Sequence, residues 1–225
     1  MKKIAIIVAG GQGNRIGGQI PKQFRQLNGK HLLLYSLEKF YNYDNGIEII
    51  VAIPSKFIEY WESIVATHKI KIRHKVVNGG EERFHSVKNA IGSTDCANSL
   101  VAVHDAARPF VSLKLIDKLY KQAAEHGCAI PTLPVSSTLR YLEDDEWVLA
   151  NRSKYRLIQT PQVFNGEMFR KAYYSDYDLS FTDDAAVYEA AGNIIHLIDG
   201  EEENIKITTP HDWEFAEFFA GKALK

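Results

Sequence analysis

Cysteine is nearly missing from this chain. Cys96 and Cys128 are the only two, they form no CxxC pair and have no histidines at metal-like spacing, which argues against a disulfide framework or a zinc module. A reducing cytoplasm fits such thiols. An excess of either charge is missing too: Lys+Arg 27 against Asp+Glu 28 gives a net charge of -1. That removes the bulk basicity of a protein that coats nucleic acid, and any anion site must be local. No apolar run approaches the roughly 20 residues that span a bilayer, so neither a membrane nor a nucleic acid is an expected partner. Lys2 and Lys3 before Ile4-Ala5-Ile6-Ile7-Val8-Ala9 superficially resemble a signal peptide. The run is short, however, and enters Gly10-Gly11-Gln12-Gly13-Asn14-Arg15 with no cleavage-like stretch, so it reads as a buried strand. Repeats, low-complexity tracts and linker-like segments are absent as well.

What is present is an ordinary globular composition, 45% hydrophobic and 24% charged over 225 residues, enough for one continuous core. One domain covering residues 1–225 is expected. Apolar, β-branched runs alternate with amphipathic stretches, the pattern of βα units stacked into a mostly parallel sheet flanked by helices. The expected strands are Ile4 to Ala9, Ile47 to Ile53, Lys75 to Val77, Leu100 to His104, Cys128 to Thr132 and Ile194 to Ile198. Phe57, Trp61, Ile64 and Val65 share one helical face, and Leu113, Ile116, Leu119, Tyr120, Ala123 and Ala124 share another. Helices are also expected near Gly166 to Tyr174, Asp183 to Ala191 and Pro210 to Phe219. At about 136–157 the pattern changes. Leu139-Arg140-Tyr141-Leu142 and Trp147-Val148-Leu149 flank the acidic turn Glu143-Asp144-Asp145-Glu146, which predicts a protruding β-hairpin arm.

The chemistry begins where the first strand ends, at Ala9, Gly10, Gly11 and Gly13. Glycines let backbone N–H groups approach phosphate oxygens with no Cβ in the way. A dinucleotide fingerprint starting at Gly11 and Gly13 would need a third glycine at Ile16, so an NAD-dependent oxidoreductase is disfavoured. Gly13 and Gly18 have P-loop spacing, but Gln19-Ile20 stands where Lys and Ser or Thr are required. There remains a glycine loop with two cations seven residues apart, Arg15 and Lys22, the second stiffened by Pro21. That pair suits a triphosphate. An ordinary βα turn with two solvated cations is the plainer alternative.

Downstream, Gly79-Gly80-Glu81-Glu82-Arg83 reads as a turn entering a helix, with Arg83 and Ser86 near its start. Asp105 follows a buried-type strand, at the carboxyl edge where open α/β sheets place ligands. It could hold Mg²⁺ or a ribose hydroxyl, or simply pair with Arg108 in a turn. His104 beside it reads as structural. Thr182 reads as the cap of a helix whose first turn carries Asp183 and Asp184. Lys206 lies in a strand-like segment, with Ile205 and Ile207 facing the core and its ammonium pointing the other way.

Five segments in order, Ala9 to Arg15 with Pro21-Lys22-Gln23, Gly79 to Arg83 with Ser86-Val87, Val103 to Pro109, Thr160-Pro161-Gln162, and Thr182 to Ala185 through Asn204 to Thr208, give the chain its likeness. It resembles the 2-C-methyl-D-erythritol 4-phosphate cytidylyltransferases, isoprenoid-pathway enzymes of Rossmann-like nucleotidyltransferase fold, from end to end. The resemblance implies that Gly80 and Ser86 contact the cytidine of CTP. It further implies that Arg108, Thr138, Arg152 and Thr182 hold the polyol phosphate, and that the arm exchanges between the subunits of a homodimer. Arg15, Lys22, Arg152 and Lys206 would then be the catalytic cations, with Mg²⁺ bridging phosphate oxygens and Asp105 anchoring ribose or metal.

Ribitol-5-phosphate cytidylyltransferases share this chemistry. Gly10, where the erythritol enzymes more often carry alanine, favours them, whereas Ala107 and Thr182 to Glu189 resemble the erythritol enzyme. A non-catalytic nucleotide-binding module would explain the glycine loop but needs neither Lys206 nor Arg152.

Overall fold

The computed structural model describes residues 1–11 and 20–223. Strand β1 (Lys2–Val8) buries Ile4, Ala5, Ile6 and Ile7 completely, as an unbroken apolar run should when both faces of a strand are covered. A ribbon of β2 (Gln26–Leu27) and β3 (Lys30–His31) leads to α1 (Leu32–Tyr43). Then follow β4 (Glu48–Ile53), α2 (Ile58–Thr67), β5 (Lys75–Asn78), α3 (Arg83–Gly92), β6 (Ser99–Asp105), α4 (Leu113–His126) and β7 (Cys128–Pro134). The second half holds β8 (Leu139–Glu143), β9 (Glu146–Ala150), β10 (Arg156–Ile158), β11 (Gln162–Asn165), α5 (Gly166–Ala172), α6 (Asp184–Ala190), β12 (Leu197–Asp199) and α7 (Pro210–Ala223).

The main sheet runs β10-β7-β11-β6-β1-β4-β5, with β12 beside β7. Strands β6, β1, β4 and β5 are mutually parallel, while β11 is antiparallel to both its neighbours. Side chains of α1, α2 and α4 pack on one face and those of α3, α5 and α6 on the other, giving a doubly wound α/β sandwich. Helix α4 shows why such helices form. Leu115, Ile116, Leu119, Tyr120 and Ala123 make one buried stripe, Ser112 caps the start by accepting from Leu115 N–H at 2.9 Å, and Gly127 closes the end at φ 84°. From β1 the chain winds out to β5 and then crosses back to β6 on the other side. The carboxyl end of β1 is therefore a topological switch point, where such sheets leave a crevice.

The arm is the hairpin of β8 and β9, paired from Leu139↔Ala150 to Glu143↔Glu146. Asp144 and Asp145 form its turn with φ 47° and 64°, a left-handed pair that aspartate tolerates and that matches the strand twist.

Two elements differ from expectation. Of the expected Ile194 to Ile198 strand only Leu197 and Ile198 lie in the paired strand, which runs on to Asp199, and Ile194 is 89% exposed. The residues around Lys206 form no strand. Ile207 is buried and its N–H donates to Ala107 O at 2.9 Å, but Ile205 is only half-buried. Buried Asn204 and Ile207 and bonds to neighbouring side chains and backbone hold this segment in place of a ladder.

Candidate active site

The crevice at the switch point is a cleft of about 590 Å³. Its floor is Val8 and Ala9 at the end of β1 and Asp105, Ala106 and Ala107 at the end of β6. Gly10, Gly11, Pro21 and Lys22 form one wall, and Gly80, Glu81, Glu82, Arg83 and Ser86 another. Pro54, Lys56 and Phe57 close the side beyond β4, and Lys206 reaches in from the segment before α7. Gly13 and Arg15 fall outside the described residues.

Local chemistry shapes each wall. Gln23 is buried, and its Nε2 donates to Ala9 O at 2.6 Å and Gly11 O at 3.0 Å, tying the end of β1 to the turn that carries Lys22. Lys22 Nζ donates to Ile207 O at 2.5 Å, joining the first loop to the backbone beside Lys206. On the opposite wall Gly80 N–H donates to Ser86 Oγ at 3.0 Å, so the serine hydroxyl closes the turn into α3. A Cβ on Gly80 would lie 2.2 Å from His85 Cβ, so only glycine fits there. At Gly10 the nearest atom to an added Cβ is Ser86 Oγ at 3.4 Å, so alanine has room at that position.

Asp105 does not pair with Arg108. Its Oδ1 accepts from Arg83 Nε at 3.2 Å and its Oδ2 from Lys206 Nζ at 2.7 Å. Burial alone would raise its pKa, but the Arg83 and Lys206 charges outweigh that and hold the carboxyl well below the usual carboxylate range. Arg108 does not line the cleft and donates Nη1 to Asn204 O at 2.7 Å. His104 braces the floor from behind. Its Nε2–H donates to Arg108 O at 3.0 Å, and its Nδ1 accepts from the Thr160 hydroxyl at 3.3 Å, which in turn accepts Asp105 N–H at 3.0 Å. Burial pushes its pKa down to about 4, so the imidazole is neutral and structural, as expected.

Thr138, Arg152 and Thr182 do not line the cleft of this chain. Thr138 and Arg152 are exposed at the base of the arm, where the Arg152 guanidinium bonds Ser136 O. Thr182 is exposed and is not the cap of α6. That place is taken by Asp183, whose Oδ1 accepts Ala186 N–H at 2.9 Å. Aspartate caps as well as threonine and sits one residue closer to the first turn. Lys56, Gln23 and Arg83 are among the lining residues that had no role assigned from sequence, although Gln23 and Arg83 stand inside the quoted segments.

The described residues contain no group of three His, Cys, Asp or Glu side chains placed to hold a metal. Asp105 at the cleft floor still fits Mg²⁺ carried mainly by substrate phosphates, which commonly uses one or two protein carboxylates.

A doubly wound sheet with a glycine turn, the Asp105 carboxylate and converging cations at the carboxyl ends of its central strands is the arrangement of a nucleotidyltransferase. The family model described as IspD, 2-C-methyl-D-erythritol 4-phosphate cytidylyltransferase, matches residues 3–222, and the chain belongs to this family. It is 45% identical over 212 residues to the 2-C-methyl-D-erythritol 4-phosphate cytidylyltransferase of Bacteroides thetaiotaomicron, covering 94% of this chain and 96% of that one. The crystal structure of the Thermus thermophilus enzyme of the same name is 31% identical and superposes with a TM-score of 0.78, over 98% of this chain and 100% of that one. The Francisella tularensis enzyme is 34% identical with a TM-score of 0.79, over 97% and 99% of the two chains.

Proposed function

We propose that this cleft carries out the family's reaction, transfer of a cytidylyl group from CTP to 2-C-methyl-D-erythritol 4-phosphate, as a step of non-mevalonate isoprenoid biosynthesis. A phosphate oxygen of the polyol phosphate attacks the α-phosphorus of CTP in line. The new O–P bond forms as the bond to the β-phosphate bridging oxygen breaks, giving 4-diphosphocytidyl-2-C-methyl-D-erythritol and pyrophosphate. A phosphate monoester is already anionic near pH 7, so no strong general base is needed. The barrier lies in bringing two polyanions together and in stabilising transferred charge.

The observation that carries this reading is convergence. Lys22 and Ile207 are 185 positions apart, yet the Lys22 ammonium docks on that carbonyl beside Lys206, and both lysines line one cleft with Asp105. In this reading Lys22 and Arg15 neutralise the triphosphate and Lys206 steadies the crowded phosphorus. Gly80 and Ser86 present the turn that meets the cytidine. Asp105 anchors the ribose or Mg²⁺, and that ion would supply charge neutralisation at the phosphates.

Arg108, Thr138, Arg152 and Thr182 are assigned to the polyol phosphate, the arm residues acting from the partner subunit of a homodimer. Supporting this are Leu142, Trp147 and Leu149, exposed at 56%, 66% and 61% on a two-stranded hairpin that is marginal alone. The chain acts as one domain in the cytoplasm. Two buried free thiols fit that setting, and no described helix is long and apolar enough to cross a membrane. Pyrophosphate release from CTP and Mg²⁺, measured separately with methylerythritol phosphate and ribitol 5-phosphate, tests the assignment. Release with the first and not the second is expected, and inactivity with both overturns it.

A further inference from the structure

Arg83 has no part in the reaction described above, yet it bridges two carboxylates at the edge of the cleft. Its Nε meets Asp105 Oδ1 at 3.2 Å and its Nη2 meets Asp184 Oδ2 at 2.6 Å. Asp184 is fully buried, and its second oxygen accepts from the Tyr173 hydroxyl at 2.7 Å. With Lys206 on the outer oxygen of Asp105, charges alternate along a row, Lys206, Asp105, Arg83 and Asp184, which ends on the neutral Tyr173 hydroxyl. The row joins the start of α3, the end of β6, the start of α6 and the end of α5 to the segment before α7. Burial works against the Arg83 charge, but the carboxylates of Asp184 and Asp105 outweigh it and hold the proton more tightly than usual.

The ends of α5 and α6 also have anchors besides this row. Gln162 separately binds Asp183 Oδ2 at 2.7 Å and the Ala185 N–H at 3.0 Å, and Phe84 stacks on Tyr173 at 4.9 Å between centroids. What Arg83 adds is orientation. A guanidinium is a rigid planar fork, and one fixed at its far end by a buried carboxylate fixes the rotation of the carboxylate at its near end. Asp105 then presents one chosen oxygen to the cleft. Freed of Arg83, it could turn both oxygens to Lys206 and draw that ammonium away from a bound phosphate.

We propose that Arg83, anchored by Asp184, is a positioning residue for cytidylyl transfer: it sets the orientation of Asp105 and, through Asp105, the place of the Lys206 ammonium. The inference rests on the function proposed above. Its test uses the full-length protein as wild type, Arg83→Lys, Asp105→Asn and Arg83→Lys/Asp105→Asn. Transfer is followed with α-labelled CTP so that slow variants stay measurable, and the melting temperature of each protein is recorded. Lysine keeps the charge but lacks the rigid planar fork that fixes the rotation of Asp105, so Arg83→Lys should lower kcat about 10- to 100-fold, the scale of an ångström-sized misplacement. KM for the polyol phosphate should stay within about twofold, because Arg83 acts only through Asp105. In the Asp105→Asn background the same change should cost nothing further. Wild-type kcat in Arg83→Lys, or losses that multiply in the double variant, overturns the inference. If Arg83→Lys does not fold, Asp184→Asn replaces it, since it frees the far end of the guanidinium and should show the same loss and the same coupling. An inactive wild-type protein would instead refute the function, which separates the two failures.

Discussion

Substituting Gly80 by alanine isolates the backbone's contribution to the nucleotide wall. The added methyl would stand 2.2 Å from His85 Cβ and 3.1 Å from His85 C, whereas non-bonded carbons rest about 3.5–4.0 Å apart. Backbone bounds the crowded side, so the Gly79–Glu82 turn must shift by roughly an ångström or more, stretching the 3.0 Å bond from Gly80 N–H to Ser86 Oγ. Overpacking of this kind costs about 1–3 kcal/mol of stability. A shift of that size at a substrate-positioning wall costs about 10²-fold in rate. Steady-state kinetics should therefore show kcat/KM for CTP falling by about two orders of magnitude, with KM for the polyol phosphate changed little. Gly10→Ala is the control: its methyl meets only Ser86 Oγ at 3.4 Å and should leave kcat/KM within about a factor of three. Adding His85→Gly to Gly80→Ala removes the 2.2 Å contact and should recover part of the loss, less the roughly 1 kcal/mol that glycine costs in α3. Wild-type kcat/KM for CTP in Gly80→Ala, or a larger defect in Gly10→Ala, would refute the reasoning.

Lys22→Ala should lower kcat by about 10²- to 10³-fold, the effect of removing one charge-stabilising donor, and Arg15→Ala should do the same; wild-type turnover in either removes that residue from the mechanism. If Arg152 serves the neighbouring subunit, mixing Lys22→Ala with Arg152→Ala protein should restore up to about a quarter of wild-type activity, because half of randomly paired dimers hold one intact site of two. Subunit exchange without recovery would place Arg152 in its own chain's site. Asp212, whose carboxylate accepts from Thr208 and Thr209 at the start of α7, has its pKa lowered to about 2: burial opposes the shift and those hydrogen bonds outweigh it. Its stabilisation is full above the unfolded value of 3.8 and fades as pH falls through about 2. Asp212→Asn should thus be less stable at pH 7 by about 1 kcal/mol, the scale of a lost cap after solvent screening of this partly exposed carboxylate, with unchanged kcat and the gap closing as pH falls through about 2; a gap independent of pH contradicts this origin.

The parallel half of the sheet was legible because its strands are long, apolar and β-branched, with buried faces on both sides. The arm was legible from alternation around Asp144-Asp145. Strands β10 and β11 were missed because three or four residues carry no period, and their pairing is a tertiary matter. Lys22, Gly80 and Asp105 could be singled out because a strand end followed by glycine or carboxylate is a local pattern. Arg83 could not, since its two partners lie 22 and 101 positions downstream and only folding brings them together. Gln23 lay beside a recognised lysine, but nothing in a lone glutamine announces that it will clamp two carbonyls. Thr182 lost the capping role to its neighbour because two good caps stood side by side.

The carbonyl that receives the Lys22 ammonium belongs to Ile207, whose own N–H is held by Ala107 and whose side chain is buried against α7. A hydrocarbon side chain thus anchors the carbonyl on which one cleft cation docks, in the residue next in sequence to the other, Lys206. A screen for inactivating changes should return hits at this isoleucine, although it offers no reactive group, and a chemist designing against the cleft could reach both lysines by wedging apart the apolar packing behind it.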